Sequence, residues 1–264
     1  MQVEGKRIVL TGAASGIGRE LLRLLAYYDV EIIAADRDAT GLGEAVRAPV
    51  NARASLNPFV CDLSTQAGTD QLFAHAMATL NGIDIFIANA GFAYYGRLGP
   101  ADWDQITAIY SVNTFSPLYS TLKMAELNPD APYLTVITAS TMAHWGLAGY
   151  ALYGSTKAAL NRFAESYRAE LPPNGRLMLV YPLGTRTRFF EQANAPLPFP
   201  IQSPQQVARA IVRGIERDAD TVYPSRLWRI GYALNRIIPV LRPLIRYIYR
   251  RIFYNWEAEQ NGSA

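Results

Sequence analysis

The sequence predicts an α/β fold: a doubly wound parallel sheet of about seven strands, helices on both faces, and a helical C-terminal extension. Three observations predict it. Apolar runs of strand length alternate with longer helix-like segments. The runs are nearly continuous rather than alternating, as strands covered on both faces require. The first run passes through a glycine-rich turn, Thr11-Gly-Ala-Ala-Ser-Gly-Ile-Gly18, directly into a helix.

The 264 residues suit one large α/β domain, and with 50% apolar residues a sizeable core is available. The expected division is residues 1–224 as the domain and 225–264 as the extension. The net charge of +3 is unevenly placed, because Ser225 to Arg251 carries Arg and no acid. The basic balance therefore belongs to the tail, and a general nucleic-acid surface is excluded. Cys61 is the single cysteine, which excludes an intrachain disulfide and a Cys-rich metal site. His75 and His144 are too few for a histidine cluster, so no metal is expected. An apolar signal segment does not precede the first strand, and no stretch reaches the ~20 apolar residues of a span. The bulk is expected to be cytoplasmic.

In order along the chain, Arg7 to Thr11 is the first strand, short and rich in β-branched residues. The glycines of the turn let the backbone approach a ligand. The helix from Arg19 to Tyr28 points its N–H groups and positive dipole end at a phosphate. Val30 to Ala35 is the second strand and ends in Asp36-Arg37. An acid there can accept both ribose hydroxyls of an adenosine and repels a 2′-phosphate, whereas Arg37 would pair with that phosphate. The Asp36 reading is the more direct, so NAD is preferred and NADP stays open.

Asn57 to Cys61 is the third strand, closed by Asp62-Leu63, and a helix follows over Thr65 to Leu80. Ile83 to Ala88 is the fourth and runs into Asn89-Ala90-Gly91. Pro100 to Leu127 reads as one long helix with Asn113 in its middle. Asn is a poor helix former, so that position marks either an exposed Asn, an inward polar group or a local kink. Tyr133 to Ala139 delivers Ser140 at the strand end, on the rim where such sheets bind ligands. Leu152 to Leu171 is the next helix, and Tyr153 and Lys157 share one face of it. A phenol beside an ammonium can exchange a proton with an alcohol or carbonyl oxygen, because the cation favours phenolate. Lysine is scarce here, with only Lys6, Lys123 and Lys157, which makes a chance pairing less frequent. Arg176 to Tyr181 is the sixth strand, and Pro182 to Thr187 returns to the rim. Ser203 to Glu216 is an amphipathic helix and Thr221 to Tyr223 a last strand.

Taken together, these residues resemble the short-chain dehydrogenase/reductase family from residue 5 to about residue 224, in order and at family-like spacing, with a Rossmann-type fold implied. The family's Thr-Gly-x-x-x-Gly-x-Gly is similar to Thr11 to Gly18, its adenine-side Asp to Asp62, and its Asn-Ala-Gly to Asn89 through Gly91, with Ala88 where a first Asn is usual. The resemblance implies that a dinucleotide lies along Gly12, Ser15, Gly16, Ile17 and Gly18. Asp36, Arg37, Asp62 and Leu63 would hold its adenosine end, and Asn89, Ala90 and Gly91 its middle. Pro182 and Thr187, with Tyr153 and Lys157, would hold the nicotinamide end. It also implies that Tyr153 is the general acid/base, that Lys157 lowers its pKa, that Ser140 positions the substrate oxygen and that Asn113 supports a water chain to Lys157. Where the family has Pro-Gly after the sixth strand, this chain has Pro182-Leu183, then Gly184. Proteins resembling this one are usually dimers or tetramers, through the long helices carrying Asn113 and Tyr153.

Rim aromatics point to a lipophilic or aromatic alcohol or ketone: Phe92, Tyr94 and Tyr95, then Met142, His144 and Trp145, then Phe189 and Phe190 at the start of an apolar loop over 187–200. Packing alone also accounts for many of them. The competing function class is a catalytically weak dinucleotide sensor or scaffold, which needs no such set as Asn113, Ser140, Tyr153 and Lys157. A lyase or isomerase on the same fold is a third class.

The extension reads as two helices, Arg226 to Ile238 and Arg242 to Trp256, parted near Pro239 and Pro243. In the second, Leu241, Leu244, Ile245, Ile248 and Ile252 form a stripe bordered by Arg242, Arg246 and Arg250. Peripheral contact with an anionic membrane surface is the favoured reading. Packing on a partner subunit or on the chain's own domain are the others.

Overall fold

A computed structural model describes residues 1–197, 200–237, 239 and 241–262. Seven parallel strands form one sheet in the order β3-β2-β1-β4-β5-β6-β7. They are β1 (Arg7–Thr11), β2 (Glu31–Asp36), β3 (Ser55–Val60), β4 (Ile85–Ala88), β5 (Tyr133–Thr138), β6 (Gly175–Val180) and β7 (Thr221–Val222). The order reverses between β1 and β4, and this opens the crevice where a sheet of this kind takes its ligand.

Helices α1 (Gly16–Leu25), α2 (Ala39–Arg47), α3 (Gln66–Leu80), α4 (Trp103–Tyr110), α5 (Ser116–Leu127), α6 (Ala151–Tyr167), α7 (Arg188–Gln192), α8 (Pro204–Glu216), α9 (Arg226–Ile237) and α10 (Leu241–Gly262) follow in chain order. One apolar core joins β1, β2, β4, β5 and β6 to α1, α2 and α8. The other lies on the opposite face, under α3, α5 and α6. The strands supply both cores from alternate residues: Ile8 and Leu10 to one, Val9 to the other. That division is why the runs are continuously apolar.

Three differences from the sequence reading have physical causes. The expected single helix over 100–127 is two helices joined by a π-helical segment, Ser111–Phe115, which holds Asn113. A π turn inserts one extra residue and aims a side chain that a regular helix would not. Helix α2 carries no strong sequence signal, because two of its nine residues are glycine. Asp38 caps it by accepting the Gly41 N–H at 3.0 Å. The last helix runs to Gly262, beyond Trp256. Ile238, the expected end of the preceding helix, lies outside the described residues, as do Pro198 and Phe199 of the apolar loop.

Candidate active site

The glycine turn is shaped by its neighbours. Gly12 has φ +69, and a Cβ there would come 2.9 Å from the Ala90 Cα. Gly16 has φ +57, and its Cβ would press the Thr187 methyl at 3.0 Å. A Cβ on Gly18 would collide with the Gly12 carbonyl oxygen. Only glycine lets the chain fold this tightly. Asn89 braces the turn: its side-chain N–H₂ donates to Thr11 O (3.2 Å) and Gly12 O (3.3 Å). The Thr11 hydroxyl accepts the Asn89 and Ala90 N–H groups at 3.0 and 3.1 Å. The result is an α1 N-terminus with open N–H groups facing the crevice, a ready anion site.

Asp36 ends β2 beside this turn. One carboxylate oxygen accepts the Ala14 N–H and the other the Asp38 N–H, both at 3.0 Å. Asp62 is held by Ser64, whose N–H and hydroxyl donate to it at 2.9 and 2.8 Å. Those bonds keep its carboxyl below the usual range, with nearby Arg37 adding to the effect.

Helix α6 delivers Tyr153 and Lys157 into the same crevice, where β5 leaves Ser140. Lys157 Nζ donates to the Thr138 carbonyl oxygen at 2.9 Å. Its nitrogen lies 5.7 Å from the Tyr153 ring centroid. The Ser140 hydroxyl accepts the Met142 N–H at 3.1 Å.

Burial dominates the electrostatics. It pushes Tyr153 up to about 12, opposed by a hydrogen bond with Ser140. It pushes Lys157 down to about 8. A phenol lowered by Lys157 is what the resemblance implied, and the structure of the protein alone differs. The ammonium points at the Thr138 carbonyl and the ring, so desolvation outweighs its pull on the hydroxyl.

Asn113 sits beneath the crevice, fully buried. Its oxygen accepts the Phe92 N–H at 3.0 Å, and its nitrogen donates to Phe92 O at 2.8 Å and Thr156 Oγ1 at 3.3 Å. It is therefore the inward polar group among the three readings, and it fixes the loop after Gly91.

Of the catalytic and cofactor-binding residues expected from sequence, all but Gly18 and Asn113 border one continuous cavity: Gly12 and Ser15 to Ile17 of the glycine turn, Asp36, Arg37, Asp62, Leu63, Asn89 to Gly91, Ser140, Tyr153, Lys157, Pro182 and Thr187. Gly18 lies behind Gly12, and Asn113 lies under Gly91. Leu183 and Gly184, where the family pattern is broken, also border it. The Leu183 N–H donates to the Gln202 side chain at 3.0 Å, which fixes the altered turn. Thr138, Thr156 and Gln202 carry no sequence signal for a site; each acts through a contact between distant segments.

The rim aromatics divide. Phe92, Met142, Phe189 and Phe190 border the cavity, and Phe189 meets the Tyr153 ring edge-on at 5.3 Å. Tyr95, His144 and Trp145 turn instead to the tail. Tyr95 packs on Trp256 (4.8 Å), His144 on Tyr232 (4.4 Å) and Trp145 on Trp228 (4.5 Å). His144 also bonds Tyr223, and burial pushes its imidazole down to about 4. The inner face of the extension thus packs on the chain's own domain. Single cysteine Cys61 borders the cavity beside Asp36 and Asp62, its thiol pushed up to about 11 by burial.

Comparison with known proteins identifies the family and the fold. The short chain dehydrogenase family matches residues 6–197. An uncharacterized oxidoreductase of Myxococcus xanthus is 28% identical, over 92% of this chain and 96% of its own. A 3-ketodihydrosphingosine reductase of Dictyostelium discoideum is 29% identical, over 81% of this chain and 73% of its own. Two solved structures share the fold. One is a short chain dehydrogenase/reductase from Burkholderia phymatum in complex with NAD (TM-score 0.78, 19% identity, 92% of this chain, 97% of that one). The other is a short-chain dehydrogenase from Sphingobium yanoikuyae in complex with NADPH (TM-score 0.76, 21% identity, 88% and 95%).

Proposed function

The chain belongs to the short-chain dehydrogenase family, and from that premise we propose that it is a nicotinamide-dinucleotide-dependent oxidoreductase that interconverts a secondary alcohol and a ketone on a lipophilic substrate. The observation that carries this reading is the buried Tyr153 beside Ser140 and Lys157, at the end of a crevice that begins with a glycine cradle.

The cradle fits a dinucleotide. A Cβ at Gly12 or Gly18 would push the turn off Ala90 or off its own carbonyl and spoil the cradle's shape, and the N-terminus of α1 offers N–H groups to a pyrophosphate. When bound there, the dinucleotide supplies or accepts the hydride. Asp36 would hold the ribose hydroxyls, Asp62 and Leu63 would border the adenine, and Thr187 would bond the nicotinamide amide. Asp36 favours NAD, because a 2′-phosphate would meet its carboxylate. Arg37, on the same cavity edge, is the residue that would serve NADP.

The chain's own residues then manage the proton. Ser140 holds the substrate oxygen against the Tyr153 hydroxyl. Tyr153 donates a proton to that oxygen in reduction and accepts it in oxidation. Lys157 offers the next site for the proton, and the Thr138 carbonyl fixes its nitrogen. Phe92, Met142, Phe189 and Phe190 line the substrate end with apolar surface, which supports a lipophilic substrate. Likeness to a 3-ketodihydrosphingosine reductase agrees with a keto substrate.

Tyr153→Phe tests the reading. Turnover of any substrate found in an alcohol and ketone screen should fall at least ~100-fold, the low end for general acid/base catalysis, while fluorescence titration shows unchanged dinucleotide binding. Retained turnover would end the assignment of Tyr153. Conversion without any nicotinamide absorbance change would point to a lyase or isomerase instead.

A further inference from the structure

The two tail helices have an inner face that is accounted for and an outer face that is not. Inside, Trp228 and Tyr232 of α9 cover Trp145 and His144, and Phe253 and Trp256 of α10 cover Tyr95. The Arg97–Glu257 pair clamps α10 with bonds of 2.6 and 2.7 Å. Asn235 joins the helices by accepting the Arg242 N–H at 3.0 Å. Outside, α9 leaves Leu227 81%, Ile230 54% and Leu234 53% exposed, at the spacing of one helix face. Helix α10 does the same with Leu244 and Ile248, and with Tyr247 beside them. A protein surface rarely leaves so many large apolar side chains together without a use for them.

The charges around this face identify its partner. Arg226, Arg229, Arg242 and Arg246 are exposed, and among the described residues none of them has a carboxylate within ion-pair distance. Among the described residues outside the tail, some Arg groups, such as Arg7, Arg97 and Arg176, have carboxylate partners and others, such as Arg47 and Arg188, have none; what sets the tail apart is that its Arg groups are clustered. From Ser225 to Arg251 there are seven Arg and no acid, and Glu257 further along α10 is already paired with Arg97. A second copy docking symmetrically on this face would set the same Arg-rich patch against itself. A nucleic acid would neutralise the Arg but leave the Leu and Ile in water. No described helix is long and apolar enough to cross a membrane. A surface that is anionic outside and apolar just beneath satisfies both features.

We propose that the outer face of α9 and α10 docks on an anionic lipid bilayer surface, with Leu227, Ile230, Leu234, Leu244 and Ile248 entering the headgroup region and the Arg groups meeting lipid phosphates. This docking does not depend on the reaction proposed above.

The test is co-sedimentation of the full-length protein with phosphatidylcholine vesicles, with and without phosphatidylglycerol, at low and raised salt. Binding should require phosphatidylglycerol and weaken as salt screens the Arg groups. The double variant Leu227→Glu/Leu244→Glu changes only exposed positions and should bind at least tenfold more weakly. Its dinucleotide titration and melting temperature should match the wild type, which shows that the fold is intact. Absence of wild-type sedimentation at low salt would overturn the proposal, and so would equal binding to purely neutral vesicles. So would a double variant that binds vesicles as well as the wild type. A wild type that is dimeric by sedimentation equilibrium, ignores vesicles and becomes monomeric in the variant would identify the face as a subunit interface instead.

Discussion

Lys157 Nζ lies 2.9 Å from the main-chain oxygen of Thr138, so the ammonium of α6 is tied to the end of β5. The bond sets where the charge sits, and burial sets how readily it is held. The folded-state value, about 8, lies below the ordinary 10.5. Between these values the unfolded chain carries a proton that the folded chain has lost. Stability from this group therefore rises with pH across that window, and below it burial of the charge costs on the order of 3 kcal/mol. Lys157→Met removes the dependence. Urea denaturation of both proteins without dinucleotide, at pH about 7 and about 9.5, should show the wild type gaining on the variant as pH rises.

The same pair predicts a rate profile. Tyr153 is pushed up to about 12 and Lys157 down to about 8, so the first proton to leave the pair leaves near 8. For alcohol oxidation, kcat/KM should rise through that pH. Lys157→Arg keeps a cation that does not titrate in this range and should remove the rise. A flat wild-type profile would separate Lys157 from proton transfer.

Asp36 offers its carboxylate toward the cavity while accepting the Ala14 and Asp38 N–H groups. Asp36→Ala should weaken NADH binding and lower the NADH-over-NADPH preference by ~10-fold or more, the scale of one lost charge-assisted hydrogen bond plus a relieved repulsion. Titration of both dinucleotides with both proteins reads the ratio. Wild-type preference for NADPH would assign discrimination to Arg37.

Asn113 closes a two-point bond with Phe92 inside the core. Asn113→Ala leaves a buried N–H and C=O without their partner and should cost ~1–3 kcal/mol. Asn113→Asp sets a carboxylate oxygen against the Phe92 carbonyl and should cost more. Urea denaturation orders wild type, Ala and Asp; an Asp variant as stable as wild type would mean that Phe92 is fixed by other contacts.

Helix α5 and the turn before it leave Phe115 56% and Leu122 43% exposed, seven residues apart and so on one side. The dimer or tetramer expected from sequence would cover them. Light scattering should report an oligomer for the wild type and a smaller species for Phe115→Glu. An unchanged mass would place any subunit contact elsewhere.

Much of this was legible in the sequence, because strands covered on both faces and a glycine turn between strand and helix leave local traces. Tyr153 and Lys157 were legible for the same reason: one helix turn brings them together. Asn113 stood out locally only as a poor helix former and took a role only through the family resemblance, since its direction depends on the π segment. The Thr138 carbonyl and the Gln202 amide act on Lys157 and Leu183 from other segments, and no local pattern announces that. In the tail, periodicity showed an apolar stripe but not what covers it. Trp228, Tyr232, Phe253 and Trp256 lie against the domain, while Leu227 and Leu244 stay in water.

The clamp between the tail and the domain also links distant parts of the chain. Trp256 and Glu257 hold the loop of Tyr95 and Arg97, and Gln260 meets Asn194 beside α7. The segments next to the cavity mouth are thus braced by residues 66 to 160 positions further along, whereas the glycine turn is braced by Asn89 at the end of β4. Whatever takes hold of α10 therefore takes hold of the mouth as well, and leaves the glycine turn alone.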